Sequence, residues 1–185
     1  MPLQNRVDPF GALWAVQARG TLMGNRGGRF HDDDRRLGRR RYVSRRWIAC
    51  VCDFKARQRE VWGKSYTELF FLDEVTALAA GHRPCFECRR AEAKDFIAAF
   101  PFADRLVGTD KRCFIARVDS LPDGAMFAHA GDAYVLRKGN CLRWSHGGYR
   151  RCATVAKADV SVLTPASILT VLQRGYAPRW HESAN

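Results

Sequence analysis

Two pairs of cysteines have the spacing that metal binding requires. Cys85 and Cys88 are separated by two residues and follow Pro84, so a tight turn can direct both thiolates at one ion. Cys50 and Cys52 are separated by one residue within an apolar segment that predicts a strand. Because residues two apart on a strand point to the same face, all four sulfurs can meet at one site. The four cysteines therefore predict a structural zinc centre.

Other ligand sets remain open. A site could use His82 or His31 in place of one cysteine, because imidazole nitrogen is also a zinc ligand. Alternatively, no metal is bound, since cysteine often serves as a small buried apolar residue. We interpret Cys113, Cys141 and Cys152 in that second way. A zinc deaminase is disfavoured because the sequence before Pro-Cys-x-x-Cys contains no His-x-Glu or Cys-x-Glu.

The second chemical feature is an excess of arginine. The chain has 185 residues, a formal net charge of +12 and a pI near 9.9, values that favour a polyanionic partner. Arginine binds phosphate through paired N–H groups, and neighbouring glycines let the backbone come close. We predict nucleic acid as the partner, DNA or RNA. The predicted phosphate-binding residues are Arg26, Arg29, Arg35, Arg36, Arg39, Arg40, Arg41, Arg83, Arg89 and Arg90.

Two other functions fit the same residues. In the segment GNRGGRFHDDD, residues 24–34, His31 and Asp32 to Asp34 could bind a divalent cation, as in a small metal-dependent hydrolase or nuclease. The three aspartates could instead only neutralise the surrounding arginines. The remaining alternative is a protein-binding module without metal.

The sequence also predicts a location. No apolar run approaches the roughly 20 residues that cross a bilayer, and the N-terminus lacks the pattern of a signal peptide. These features predict a cytoplasmic protein with no membrane partner. That compartment disfavours a disulfide framework among the seven cysteines, which leaves metal ligation or buried thiols.

The strands and helices predicted to carry these residues indicate an α+β fold. It consists of small antiparallel sheets and hairpins with short helices, and a β-meander followed by a terminal helix forms its last third. The predicted strands cover residues 47–54, 67–72, 114–118, 125–129, 134–137, 141–144 and 160–163, the first returning through Val61-Trp62 as a hairpin. The predicted helices cover residues 10–19, 73–80, 89–100 and 165–175, and glycines predict a loop over residues 20–30.

The predicted organisation is a single domain over residues 1–185. Changes in composition divide it into a basic Gly/Arg-rich arm over 1–46, a cysteine element over 47–104, and a β-meander with the C-terminal helix over 105–185.

One segment resembles a known family. Phe70-Phe71, Ala77 to Gly81 and Arg83-Pro84-Cys85-x-x-Cys88-Arg89 resemble the second half of the zinc-binding domain of Ada-like alkylation-repair proteins, over about 20 residues. The resemblance implies a helix–glycine–Cys-x-x-Cys element, a zinc ion on Cys85 and Cys88, and DNA as the nucleic acid. The family's first ligand pair is Cys-x-x-x-Cys and includes its methyl acceptor. Here that pair is Cys50-x-Cys52, so methyl transfer is not implied.

Overall fold

The computed structural model describes residues 1–58, 60–100, 102, 113–152 and 158–185. Within these residues the chain forms two six-stranded sheets and three α-helices, which confirms the α+β class. The helices are α1 (Glu74–Ala79), α2 (Arg90–Ala99) and α3 (Ala166–Gln173).

The N-terminal sheet is mixed. Its strands are β1 (Arg6–Val7), β2 (Leu13–Trp14), β3 (Leu22–Arg26), β4 (Trp47–Val51), β5 (Leu69–Phe71) and β6 (Arg83–Pro84). They lie in the order β2-β1-β5-β3-β4-β6, with β1 parallel to β5 and β4 parallel to β6. The other pairs are antiparallel.

The C-terminal sheet is antiparallel throughout. Its strands are β7 (Phe114–Arg117), β8 (Met126–His129), β9 (Asp132–Arg137), β10 (Asn140–Ser145), β11 (Gly148–Arg151) and β12 (Asp159–Val162). Their order is β11-β10-β9-β8-β12-β7, so consecutive strands β8 to β11 form a meander. The first predicted strand of the meander, β7, does not pair with β8, because β12 lies between them.

Strand alternation gives the N-terminal sheet two different faces. Leu22 on β3, Ala49 on β4 and Leu69 and Phe71 on β5 are buried in one hydrophobic cluster, together with residues of α1. Their strand neighbours, such as Cys50, point to the opposite face because successive residues alternate. That opposite face lines the candidate site described below.

Helix α1 lies between the two sheets. Its Ala77 contributes to the cluster of the N-terminal sheet, and its Val75 and Ala79 contribute to that of the C-terminal sheet. The helix begins where predicted, because the Asp73 side chain accepts a hydrogen bond from the Thr76 N–H at 2.9 Å. It ends at Ala79, and Gly81 after the C-cap Ala80 adopts a φ of +84°, a conformation that glycine takes at little cost.

Several local predictions are wrong. Residues 10–19 form no helix and contain β2, and the loop predicted over residues 20–30 contains β3. Strand β4 pairs with β3 and β6 instead of returning as a hairpin, and Trp62 donates to Glu68 instead. For β3 and β4, pairing with strands distant in sequence overrides the local signal, whereas β2 pairs with the nearby β1. The predicted boundary at residues 104 and 105 lies outside the described residues.

Helix α3 also begins differently from the prediction. The Thr164 hydroxyl accepts a hydrogen bond from the backbone N–H of Met126 at 2.9 Å, and the helix itself begins at Ala166. Thr164 therefore ties the start of the helix to β8.

Close packing of β3 on β4 requires Gly24. A methyl group there would lie 2.1 Å from the Ile48 carbonyl oxygen and 2.9 Å from a ring carbon of Phe71. We expect Gly24→Ala to lower the free energy of unfolding, measured in urea, by about 1–3 kcal/mol. Gly38→Ala is the control because nothing lies within 4 Å of its added Cβ. Equal stability of the two variants would contradict this account.

Candidate metal centre and adjoining pocket

Strand β6 brings the Cys-x-x-Cys turn beside β4. Pro84 is paired with Ala49 across the two parallel strands. The next residue, Cys85, continues the pairing, because its N–H donates to the Ala49 carbonyl at 3.0 Å. The turn therefore starts next to Cys50, although 35 positions separate Cys50 from Cys85 in the sequence.

Three sulfurs meet at this point. The sulfur atoms of Cys50, Cys85 and Cys88 lie within 4.8 Å of one another and could hold a metal ion. Tetrahedral zinc with Zn–S bonds of about 2.3 Å requires sulfurs about 3.8 Å apart, so a small contraction suffices. Among the residues that the structure describes, this is the only group of three or more histidine, cysteine or acidic side chains with such geometry.

Hydrogen bonds stabilise negative charge on two of the sulfurs. The Cys50 thiol donates to its neighbours, which lowers the pKa of Cys85 to about 5 and also lowers the pKa of Cys88. The same hydrogen bonds, with burial, raise the pKa of Cys50. The Glu87 N–H donates to the Cys85 sulfur at 3.4 Å. The cluster therefore holds thiolate charge, and a bound cation would displace the shared proton.

Cys52 does not belong to the cluster, which corrects the set of four ligands. Strand β4 ends at Val51, and the exposed Cys52 thiol donates to the Thr21 carbonyl at 3.5 Å, on the β3 side. The turn lies on the other side of β4, because β6 pairs there. Burial raises the pKa of Cys52, which disfavours its thiolate.

Neither histidine replaces the fourth cysteine. Arg26 Nε donates to His82 Nε2 at 3.4 Å, and the His82 ring packs against Trp47 and Phe71. The two ring nitrogens of His31 contact Thr67 Oγ1 at 2.7 Å and the Gly63 carbonyl at 3.0 Å. Within the described residues both histidines thus lie outside the group of potential ligands.

The remaining cysteines lie outside this group. Cys141 is buried and Cys152 is half-buried, with its thiol donating to the Cys141 carbonyl at 3.2 Å. Cys113 is exposed, so the interpretation as a buried apolar residue is wrong for it.

The cysteine cluster opens into a cavity of about 490 Å³. Its lining also includes Glu68, which is only 3% exposed. One carboxylate oxygen, Oε2, accepts the Trp62 N–H at 2.7 Å. The other, Oε1, is buried and has no hydrogen-bond partner within the described part of the chain. Glu68 thus belongs to the lining of the cavity, whereas its Oε1 atom is itself buried.

Glu68 is the residue that the sequence interpretation missed. It lies in the segment predicted as a strand, residues 67–72, and directly precedes β5, which covers Leu69–Phe71. Alternation would have placed Glu68 with Phe70 on one face and Leu69 with Phe71 on the other. An acidic residue inside an apolar strand is the signal that could have identified it.

Eight of the ten predicted phosphate-binding arginines reach the solvent. Arg36, Arg39, Arg40, Arg41 and Arg90 are exposed. Arg35 is exposed and paired with Glu60, whereas Arg29 is half-buried and paired with Asp33. Arg83 is half-buried, with its guanidinium 5.2 Å from the centre of the Phe86 ring.

The other two, Arg26 and Arg89, are buried, which corrects their assignment. Arg26 is 2% exposed, lies 4.2 Å from the centre of the Trp47 ring and donates to the Gly11 carbonyl at 2.9 Å. Burial lowers its pKa to about 10. Arg89 is 1% exposed and forms a 2.7 Å ion pair with Glu74. Neither guanidinium can reach a phosphate at the surface.

The aspartates proposed for a catalytic loop have local partners. Asp32 Oδ1 accepts the Arg36 N–H at 2.7 Å and so closes a turn. Asp33 forms an ion pair with Arg29, whose hydrogen bond lowers the pKa of that carboxyl. Residues 31–34 thus provide turn and surface contacts.

Comparisons of the chain with protein-family models, curated proteins and solved structures find no match. No helix within the described residues is long and apolar enough to cross a membrane.

Proposed function

We propose that this protein binds nucleic acid and carries one zinc ion on Cys50, Cys85 and Cys88. The observation that carries the proposal is the convergence of three sulfurs within 4.8 Å from strand and turn elements far apart in sequence. Thiolates are soft ligands that select zinc over magnesium or calcium. The resemblance of residues 70–90 to an Ada-like zinc-binding element supports the same metal.

Three protein ligands leave the fourth position of a tetrahedral ion open. The cluster lies on the wall of the cavity, so that position would face the cavity and not the protein core. This arrangement differs from closed structural sites with four protein ligands. The zinc ion would therefore both join β4 to the turn and present a coordination position to a ligand.

The distribution of charge supports nucleic acid as the partner. The exposed arginines of residues 35–41 and the net charge of +12 provide the attraction to phosphate that sequence-independent binding needs. Arg46, also exposed, and Arg83 line a second cavity that adjoins the first. The basic surface and the metal cluster are thus connected through the same part of the sheet.

The proposal makes a joint prediction about metal and salt. Protein prepared without chelators should contain about one equivalent of zinc, and its affinity for a DNA duplex should fall steeply with salt. Changing Arg39, Arg40 and Arg41 together to glutamine should reduce the slope of log affinity against log salt by about 0.9 for each phosphate that is no longer neutralised. Elemental analysis and fluorescence anisotropy provide the two measurements.

A triple variant with the same net charge is the control. Arg117, Arg143 and Arg150 are exposed on the C-terminal sheet, and changing them to glutamine should leave the slope close to that of the wild type. Less than about a tenth of an equivalent of zinc would refute the metal site. An affinity that is independent of salt would refute the nucleic-acid partner.

A further inference from the structure

We propose that the open face of the N-terminal sheet, the side opposite its buried cluster, binds a single strand of nucleic acid. An unpaired base stacks on Trp14, and Arg6 and Arg19 hold a phosphate beside it. The inference deepens the proposed function and rests on its choice of nucleic acid as the partner. It adds that the bases are unpaired and that one sheet face receives them, neither of which follows from the basic charge.

Strand register places one row of side chains across the open face. Trp14 on β2 is paired with Arg6 on β1, and Arg6 is paired with Phe70 on β5. Phe70 is paired with Met23 on β3, and Met23 with Cys50 on β4. Because paired residues point to the same side of a sheet, this cross-strand row leads from the sheet edge at Trp14 to the metal cluster. With about 4.8 Å between neighbouring strands, the row is about 19 Å long.

The cross-strand row is accessible, whereas the residues next to it on the same strands are buried. Trp14 is 49% exposed, and the other four residues of the row are half-buried. The adjacent residues that lie in the buried cluster of the sheet are Leu13, Val7, Phe71 and Leu22. Apolar and aromatic side chains that are exposed side by side mark interaction sites. On a sheet face, such aromatic side chains stack on the unpaired bases of single-stranded nucleic acid.

Trp14 is held in place by the protein itself. Its indole N–H donates to Asp8 Oδ2 at 2.7 Å, while Asp8 Oδ1 accepts the Ala12 N–H at 2.8 Å in the turn between β1 and β2. The ring of His146, from the turn between β10 and β11, packs 6.3 Å from the Trp14 ring, measured between centroids. The Trp144 ring lies 4.7 Å beyond that of His146. A ring that is already ordered loses little entropy when a base stacks on it.

Two arginines beside Trp14 provide the attraction to phosphate. Arg6 Nε donates to the Ala18 carbonyl at 2.5 Å, which brings Arg6 close to the exposed Arg19. Burial and the positive charge of Arg19 lower the pKa of Arg6. Neither arginine forms an ion pair within the part of the chain that the structure describes, and the neighbouring Asp8 carboxylate, 6% exposed, already accepts two N–H groups. A phosphate that binds both guanidinium groups would remove their mutual repulsion.

The arrangement favours a single strand over a duplex. In a duplex the faces of each base are covered by its neighbours and only its edges are accessible in the grooves, so Trp14 cannot stack on it. In a single strand the bases can turn toward aromatic rings while the phosphates contact arginines. The Arg6 guanidinium lies 4.9 Å from the centre of the Phe70 ring, which orders it on the open face. The row thus places a phosphate-binding group beside a stacking ring, as a strand with unpaired bases requires.

The test measures the affinity of the full chain for a thymidylate oligomer of about 20 nucleotides, which forms no duplex with itself, by fluorescence anisotropy. Trp14→Leu should weaken the binding of this strand by about tenfold, the effect expected from the loss of one stacked base. Trp14→Phe should retain most of the affinity, because it keeps an aromatic ring. Both variants lose the hydrogen bond to Asp8, so the difference between them reports stacking and not local stability.

The phosphate contact is tested separately. Arg19→Gln should reduce the slope of log affinity against log salt for the thymidylate strand by about 0.7, the value for one phosphate contact on a single strand. Arg117→Gln removes the same charge from β7 of the C-terminal sheet and should leave the slope unchanged. Arg19 is exposed and lies outside the strands, so this expectation does not depend on the folding of the Trp14 variants.

Two results overturn the inference. The first is equal affinity of the wild type and Trp14→Leu for the thymidylate strand. The second is an equally large decrease for Trp14→Leu with a mixed duplex of about 20 base pairs, because a duplex offers no unpaired base. In either case retained zinc and steep salt dependence would leave the proposed function intact. Binding by the wild type that is independent of salt would instead refute both the inference and the nucleic-acid partner.

Discussion

Replacement of Cys88 by serine is expected to reduce the bound zinc from about one equivalent to below a tenth. Its sulfur is one of the three that lie within 4.8 Å, and serine offers a neutral, hard oxygen in its place. The two thiolates that remain bind zinc too weakly to retain it while the protein is purified. Elemental analysis of protein prepared without chelators measures the decrease, and Cys85→Ser should behave in the same way.

The matched controls are Cys52→Ser and Cys113→Ser. Both cysteines are exposed, and Cys52 even lines the same cavity, yet neither belongs to the sulfur cluster. Both variants should retain the zinc of the wild type. Loss of zinc in Cys52→Ser equal to that in Cys88→Ser would restore the site with four cysteines and contradict the geometry described above.

Removal of the metal should also lower the stability of the folded protein. A metal that binds only the folded chain, present at 100 times its dissociation constant, stabilises the fold by about 2.7 kcal/mol. A chelator should therefore lower the melting temperature of the wild type and of Cys52→Ser. It should leave that of Cys88→Ser unchanged, because that variant has no ion to lose.

The second large effect is expected on the stability of the protein when Arg89 is replaced. Its side chain is fully buried and pairs with Glu74, which is 1% exposed on its side chain, at 2.7 Å. Burial opposes the charge of Arg89, but the hydrogen bond and the charge of Glu74, together with the charges of Tyr176 and Glu92, outweigh burial and raise the pKa of the guanidinium. Arg89→Met leaves the Glu74 carboxylate buried without its cation. We expect a loss of about 3–5 kcal/mol in the free energy of unfolding in urea.

The neighbouring residue Arg90 is the matched control. It is exposed at the start of α2, so Arg90→Met should change the free energy of unfolding by no more than about 0.5 kcal/mol. The double variant Glu74→Gln/Arg89→Met should recover part of the loss, because no unpaired charge remains buried. A cost below about 1 kcal/mol for Arg89→Met would contradict the role of the pair.

The ion pair connects the metal cluster to the rest of the molecule. Glu74 also accepts the Tyr176 hydroxyl at 2.6 Å and the Arg179 N–H at 2.9 Å, so it ties α1 to the C-terminal segment. The Arg89 N–H donates to the Cys85 carbonyl at 3.0 Å, which closes the Cys-x-x-Cys turn. The Arg89 side chain thus holds the residue that follows Cys88 against α1.

Local signals predicted the middle of the chain well. The cap at Asp73, the stop at Gly81 and the amphipathic helix that follows depend on residues within a few positions of one another. The turns of the meander are similarly local. These features are encoded by side chains that act on their own backbone, so the sequence was sufficient to predict them.

Predictions failed where distant strands decide the conformation. Strand β3 contains Gly24 and precedes Gly27 and Gly28, so its glycines indicated a loop. Its stability comes from hydrogen-bonded pairing with β4 on one side and β5 on the other. Gly24 is required there because the neighbouring backbone approaches so closely.

The sequence by itself determined the basic charge, the metal-ligand spacing of the Cys-x-x-Cys turn and the ends of α1. Only the tertiary structure decided that Cys50 joins the turn while Cys52 does not, because β6 pairs along one side of β4. It also buried Arg26 and Arg89 and placed Glu68 in the lining of the same cavity as the three cysteines. Residue type and spacing define which chemistry is available, whereas strand pairing across tens of residues defines which side chains meet.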